Sequence, residues 1–217
     1  MKTLGKALAN GVALLLVLPA FLLYQLARLF LGTRAFSGWS QAFSLFPGLI
    51  GAYLRRAFYR LTLRHCGRDA CVSFGAILAN SSAELGDGVY VGAFCCLGDV
   101  TLQDDVLLGS HVSIPSGARQ HGFERLDLPI REQPGVVQRI TIGRNTWVGD
   151  RAVILANVGQ HCVIGAGAVV TQPLPDYSVA VGVPARVVRS RKPGTPETAA
   201  DTLVTELLDP PHSTPRK

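Results

Sequence analysis

His121 stands in a polar stretch, "SGARQHGFERLDLPIREQPGVVQR", that interrupts two regular blocks of the chain. Imidazole is the side chain best suited to accept a proton near neutral pH. A hydroxyl that attacks a carbonyl must lose its proton as it does so. A histidine on a loop held by a rigid scaffold is well placed to take that proton. The developing oxyanion would need a backbone N–H or similar donor, and the sequence identifies none. A carboxylate often fixes the tautomer of such a histidine; Glu124 and Asp127 are the two candidates close in sequence. The competing reading of His121 is a solvated loop residue without a role.

The remaining chemistry-bearing residues carry weaker signals. His111, in "GSHVSI", sits on a repeat position and is expected on a prism face or subunit contact. His161 is expected at a corner, with a structural role. The five cysteines, Cys66, Cys71, Cys95, Cys96 and Cys162, are odd in number and irregularly spaced, with no CxxC pair. A disulfide framework and a structural zinc site are therefore not expected. The net charge is +6 and the pI about 9.3. The arginines cluster at 55–68 and 186–191, without aromatic interleaving or a nucleic-acid motif, so nucleic acid is not an expected partner. Aromatic residues make up only 7% of the chain, so the core must be built from Val, Leu, Ile and Ala.

The elements that must hold His121 follow from a period of six. Leu85, Val91, Leu97, Leu102, Leu108 and Ile114 are spaced by six, six, five, six and six residues. Ile142, Val148, Ile154, Ile164 and Val170 follow at six, six, ten and six. Glycine is common directly after these residues. Four residues after them stand Val89, Cys95, Thr101, Val106, Val112 and Ala118, then Thr146, Ala152, Val158 and Ala168, with Pro175 five after Val170 at the last repeat. Neither a helical period of 3.6 nor simple alternation gives six. A chain that turns a corner every six residues does, and three faces then make one coil of stacked parallel strands. The aliphatic residue points into the prism and the small residue sits near a corner. The stretch Ile154–Ile164 is two residues short, so one corner there should be tightened.

With "HGFERLDLPIREQPG", "ITIGRNTWVGDRAVI" and "VIGAGAVVTQPLPDYSVAVGVPARVVR", the chain over about 70–189 resembles the hexapeptide-repeat acyltransferases, in their sugar and polysaccharide O-acetyltransferase branch. The resemblance implies an all-β, left-handed parallel β-helix, acetyl-CoA as acyl donor, a glycan hydroxyl as acceptor and a homotrimer. It implies that His121 is the general base and that no metal takes part; the closely spaced histidine pair of the zinc enzymes with this fold is absent. Asp150, Ala166, Thr171, Gln172, Arg186 and Arg189 match the family's cofactor contacts, and Trp147 is a candidate to flank the pantetheine groove. Arginine suits the phosphates of coenzyme A. One departure is Phe94, which stands where galactoside- and maltose-type members carry an Asn. That loss of a polar contact speaks against a small soluble sugar.

Residues 1–68 are expected to form a hydrophobic, membrane-associated helical segment ahead of the repeat domain at 69–189, which carries the inserted loop 117–139. Ala7–Ala27 has no charge and is long enough to cross about 30 Å of hydrocarbon. Trp39 and Arg55, Arg56, Arg60, Arg64 and Arg68 suit an interface, and the positive-inside tendency puts the following domain at the cytoplasmic face. A spanning helix, a hairpin in one leaflet and a helix docked on protein all remain open. Residues 190–217 read as a flexible tail. The leading expectation is an enzyme acetylating an exopolysaccharide or lipid-linked saccharide precursor. The alternatives are an acetyltransferase for an amino acid or amino sugar, and a non-catalytic assembly subunit.

Overall fold

The computed structural model describes residues 2–192; the tail expected at 190–217 lies almost wholly outside the described residues. The chain opens with three helices, α1 (Lys2–Leu31), α2 (Arg34–Ser44) and α3 (Gly48–Thr62). A left-handed parallel β-helix follows. Its first coil is β1 (His65–Cys66), β2 (Cys71–Val72) and β3 (Ile77–Leu78). The second is β4 (Glu84–Leu85), β5 (Tyr90–Val91) and β6 (Cys96–Leu97); the third is β7 (Val100–Leu102), β8 (Leu107–Leu108) and β9 (Ser113–Ile114). After the inserted loop come β10 (Ile140–Ile142), β11 (Trp147–Val148) and β12 (Val153–Ile154), then β13 (Val163–Ile164) and β14 (Val169–Val170). The last turn ends in a hairpin of β15 (Ser178–Val181) and β16 (Arg186–Ser190).

The strands sort into three faces: β1-β4-β7-β10, β2-β5-β8-β11-β13-β15 and β3-β6-β9-β12-β14. Every aliphatic residue of the sixfold series is buried in the prism. The short corner recurs: Val158 pairs with both Ile142 and Leu174, so the chain rejoins the first face four residues after Ile154 and again four after Val170. Three corner expectations fail. Val100, not Thr101, is buried beside Leu102, because the spacing of five removes one corner residue. Ala118 is exposed in the loop, and Ser178, not Pro175, is the residue buried at the last coil.

Glycine after the aliphatic residue serves close stacking of coils. A Cβ on Gly149 would stand 2.6 Å from the Ala166 backbone nitrogen of the next coil. The left-handed corner conformations fall elsewhere, on Phe94, Asp105, His111, Asn145, Arg151, His161 and Tyr177. Gly149→Ala should cost about 1–3 kcal/mol by overpacking against backbone that cannot rotate away. Thermal melts check this, with Gly38→Ala as control, since a Cβ there meets nothing within 4 Å.

The helices close the open end of the prism. Each coil donates N–H groups to carbonyls of the following coil, as Cys71 does to Val89 and Ser73 to Val91. The first coil therefore has carbonyls with no preceding coil to serve them. Arg55 Nε donates to the Val72 carbonyl at 2.8 Å and its Nη1 to the carbonyls of Phe43 and Phe46 at 3.2 and 2.6 Å. Arg56 Nε donates to the Ala70 carbonyl. The Leu78 N–H donates to Ser40 Oγ at 2.9 Å, and that hydroxyl also bonds the buried Tyr59 phenol. Around these bonds pack Phe36, Phe43, Phe58 and Tyr24. Five arginines read from sequence as an interfacial cluster thus divide: Arg55 is buried, Arg56 ties down the first coil, Arg60 is exposed, and Arg64 and Arg68 pair with Glu84 and Asp87.

All five cysteines are free thiols. Burial pushes Cys66 and Cys95 each up to about 11, so both stay protonated at pH 8, whereas Cys96 is exposed. A disulfide reagent at pH 8 should therefore modify Cys96 first and leave Cys95 intact until the protein unfolds. Peptide mapping after brief labelling reads this directly.

Candidate active site

The inserted loop leaves the prism after Ile114 and returns at Ile140, the point where β9 meets its corner. Its base is an antiparallel pinch: the Gln138 N–H donates to the Ser116 carbonyl at 2.9 Å and the Val136 N–H to the Arg119 carbonyl. Higher up, the buried Gln133 side chain holds the two arms together. Its Oε1 accepts from the Arg125 N–H at 3.0 Å, and its Nε2 donates to the carbonyls of Arg125 and Leu128 at 2.6 and 3.1 Å. Gly122 lies so close to the opposite arm that a Cβ there would stand 2.7 Å from the Pro134 carbonyl oxygen. The loop is therefore shaped, though it has no regular structure beyond one short 3₁₀ turn at Ile130–Glu132.

His121 stands exposed on the outgoing arm, and among the described residues no side chain hydrogen-bonds its ring. The two carboxylates considered from sequence are engaged elsewhere. Asp127 takes both donors of the Arg125 guanidinium, which holds its carboxyl below the usual range, and Glu124 Oε2 accepts the Phe123 N–H at 3.0 Å. Neither orients His121 within one chain. The loop also presents Phe123, Leu126, Val136 and Val137 to solvent, with Leu126 99% exposed. An unpartnered histidine on a projecting, partly apolar arm is suited to meeting a second surface rather than the prism that carries it.

The residues matched as cofactor contacts lie on both edges of the β3-β6-β9-β12-β14 face. Asp150 and Ala166 occupy one corner in consecutive coils, and the Gly167 N–H donates to the Asp150 carbonyl at 2.8 Å. Asp150 also caps the coil before it, its Oδ1 accepting the Ser110 N–H at 2.7 Å. Thr171 and Gln172 directly follow β14 and are exposed on the opposite edge, the edge from which the loop springs two strands away. Coil spacing of about 4.8 Å puts these two roughly 10 Å from the loop's root along the axis. Arg186 opens β16 opposite Val181, next to Ala185, whose N–H donates to the Val169 carbonyl. It is exposed near the Asp150–Ala166 corner, while Arg189 pairs with Val179 further along β15. The set offers exposed corner backbone and a guanidinium on one edge, and a hydroxyl and amide on the other. That distribution fits an extended ligand with phosphates at one end: backbone amides and Gln172 for its amide arm, Arg186 for its charge.

The other singled-out residues find structural places. His161 adopts a left-handed corner, stacks on Tyr177 at 5.1 Å and hydrogen-bonds Asn145 through Nδ1. His111 takes a corner too, not a face, and stacks at 5.2 Å on Phe94, which meets Phe74 edge-on. Sequence reasoning missed this aromatic column; the recurrence of bulky residues at corner spacing was its signal. Trp147 points outward in a row with Tyr90 and Leu107, and all three are exposed. A cavity of about 820 Å³ lies away from His121, between α1 and the first coil, and is lined by Lys6, Asn10, Arg60, Arg68 and Asp69 among others.

The bacterial transferase hexapeptide (six repeats) family matches residues 139–172. A probable acetyltransferase of Mycobacterium tuberculosis is 34% identical over 116 residues, covering 51% of this chain and 38% of its own length. The galactoside O-acetyltransferase of Escherichia coli is 40% identical over 93 residues, covering 42% of this chain and 43% of its own. The matches thus span about two fifths of the length of these relatives. A maltose O-acetyltransferase structure from Clostridium difficile superposes with a TM-score of 0.65 at 22% identity, over 75% of this chain and 88% of that one. A galactoside acetyltransferase solved with coenzyme A superposes at 0.55 and 24% identity, over 72% and 80%. Both structures have the same β-helical fold as this chain.

Proposed function

We propose that the protein, whose residues 139–172 match the bacterial hexapeptide-repeat transferases, moves an acetyl group from acetyl-CoA to a glycan hydroxyl. The observation that carries this is the shaped loop that holds His121 out from the prism, two strands above the corner residues Thr171 and Gln172. The name of the Mycobacterium relative supports acetyl transfer, and that of the galactoside O-acetyltransferase supports a sugar acceptor.

Acetyl-CoA supplies an activated carbonyl. This chain's part is to hold it and to accept a proton. Arg186 and Arg189 neutralise phosphate charge, Asp150 and Ala166 offer corner backbone, and Thr171 and Gln172 hold the amide arm near the loop's root. His121 takes the proton of the acceptor hydroxyl as that oxygen bonds to the acetyl carbon, and returns it to the departing thiolate. His121 is unpartnered on its own prism, and Trp147, Tyr90, Leu107 and the loop's apolar residues are exposed. We take the working unit to be a homotrimer, with each loop lying against a neighbouring prism. The acceptor is a glycan of the cell envelope, such as an exopolysaccharide or lipid-linked saccharide precursor, reached from the cytoplasmic face of a membrane. The apolar, cation-rich first 68 residues support that address.

The test is acetyl-CoA turnover, followed as thiol release, against soluble sugars and lipid-linked saccharides. Release that depends on a lipid-linked acceptor supports the reading, whereas activity on soluble sugars alone removes the membrane-held acceptor. Gln133→Ala should lower kcat about tenfold, by loosening the arm that carries His121, while leaving the melting temperature of the prism nearly unchanged. Steady-state kinetics beside a thermal melt check this. An unchanged kcat would mean that the Gln133 staple does not position His121.

A further inference from the structure

We propose that α1 is an in-plane membrane anchor, lying flat in one leaflet with the prism standing away from the lipid. This deepens the membrane address proposed above and is independent of the acetyl-transfer reading. By length and composition Gly5–Leu31 could cross a bilayer. The packing of α1 decides otherwise. One side of the helix, Ala13, Val17, Ala20, Tyr24 and Ala27, is turned onto the cap. Tyr24 meets Phe36 of α2 and Phe58 of α3, and Asn10 Oδ1 accepts from Arg56 Nη1 at 3.2 Å. Arg56 itself holds the Ala70 carbonyl of the first coil. The helix is therefore docked at both halves on elements that are fixed to the prism. To cross a membrane in this arrangement it would carry Arg55, Arg56 and the end of the β-helix into hydrocarbon, at a cost no apolar face recovers.

The opposite side of α1 suits a lipid surface. Leu8, Leu15, Leu22 and Leu29 recur every seven residues, and Val12, Leu16, Leu23 and Leu26 flank them, all exposed. This stripe runs the length of the helix, diametrically across from the docked side. Leu45, Phe46, Leu49 and Ile50, around the turn between α2 and α3, add a second exposed apolar cluster. Residues 1–68 contain nine Lys and Arg and no Asp or Glu, so they hold more positive charge than the whole chain's net +6. Of these, Lys6, Arg28, Arg34 and Arg60 are exposed around the cap. The cations lie on the cap behind this face, Lys6 and Arg28 on the docked side of α1, so it is the net charge of an acid-free cap, within a screening length of the surface, that complements an anionic leaflet, where such helices sit about 5–10 Å deep. The loop's root, beyond the α2–α3 layer and two coils further, then stands on the order of 30 Å from the α1 axis. The acceptor hydroxyl would be presented well out from the lipid, as on an extended saccharide.

The experiment measures depth. Tryptophan is introduced singly at Leu8, Leu15, Leu22 and Leu29 in the full chain, which is then bound to phosphatidylcholine–phosphatidylglycerol vesicles. Quenching by lipids brominated at graded depths locates each residue, with the chain's own Trp39 and Trp147 as background. The proposal expects all four positions to be quenched best at one shallow depth. It also expects exchange of Lys6, Arg28, Arg34 and Arg60 for Gln to weaken vesicle binding at least about tenfold. Deepest quenching at Leu15 and Leu22, with shallow quenching at Leu8 and Leu29, would mean a span and overturn it. No quenching anywhere, with dimers or larger species in vesicle-free solution, would mean that a second copy covers the stripe, and would also overturn it. In each case turnover on a soluble acceptor reports separately on the acetyl-transfer reading.

Discussion

His121→Ala should lower kcat for acetyl transfer about 10²–10⁴-fold and leave coenzyme A affinity within a factor of about two. The split follows from position. His121 is on the loop, whereas the residues assigned to the cofactor are on the corners below and at the final hairpin. The loop's shape comes from Gln133 and the backbone pinch at Ser116–Gln138, and the His121 ring contributes no hydrogen bond to either. Truncation should therefore remove proton acceptance without collapsing the arm. Arg186→Ala should do the reverse, raising the KM for acetyl-CoA with little change in kcat, because a phosphate contact is made equally before and during reaction. Binding calorimetry with coenzyme A, paired with initial rates, separates the two variants. Equal activity of His121→Ala and the parent would move the proton acceptor elsewhere.

Arg55→Met should destabilise the fold by about 3–5 kcal/mol. The guanidinium is 1% exposed and serves three carbonyls, of Val72, Phe43 and Phe46. Methionine fills much of the volume but leaves the Val72 and Phe46 carbonyls without the Arg55 donors and the Phe43 carbonyl with only the long Phe46 N–H contact at 3.4 Å. Arg55→Lys should recover little, because a single ammonium on a flexible stem cannot reach both the first coil and the α2–α3 turn as a planar fork does. Ser40→Ala is the milder companion at about 1–3 kcal/mol, since it strands the Leu78 N–H and the Tyr59 phenol. Chemical denaturation would measure all three. A cost below about 1 kcal/mol for Arg55→Met would mean that the cap does not seal the first coil.

These two cases mark what sequence can carry. The sixfold series from Leu85 to Val170 is legible because the prism imposes the same packing on every coil, and local spacing alone encodes it. A one-residue loss, as between Leu97 and Leu102, is visible as a number, yet the choice of Val100 over Thr101 for burial depends on where the corner falls in three dimensions. The role of Arg55 was beyond reach of spacing. An arginine beside apolar helices satisfies an interfacial pattern as well as it satisfies orphaned carbonyls, and only tertiary structure brings Val72 to it. The same ambiguity applied to α1, whose composition passes for a span until its contacts to Phe36, Phe58 and Arg56 are known.

At the site, the projecting loop that carries His121 was legible from the interrupted repeat, but the surroundings of His121 were not. Glu124 and Asp127 are near in sequence and committed to Phe123 and Arg125 in space. The matched cofactor residues span residues 150 to 189, and the coil geometry distributes them over two edges of one face and a terminal strand rather than gathering them in a pocket of one chain. That distribution supports the proposal of a groove between two prisms for an extended donor.

The most direct measurement is transfer of isotopically labelled acetyl from acetyl-CoA to a glycan, read by mass spectrometry beside thiol release. The predicted result is one acetyl gained per thiol freed, dependent on acceptor and removed by mild base as an ester must be. Label that survives mild base, as an amide does, would contradict a hydroxyl acceptor and point to an amine. Absence of both transfer and coenzyme A binding would contradict the enzyme itself.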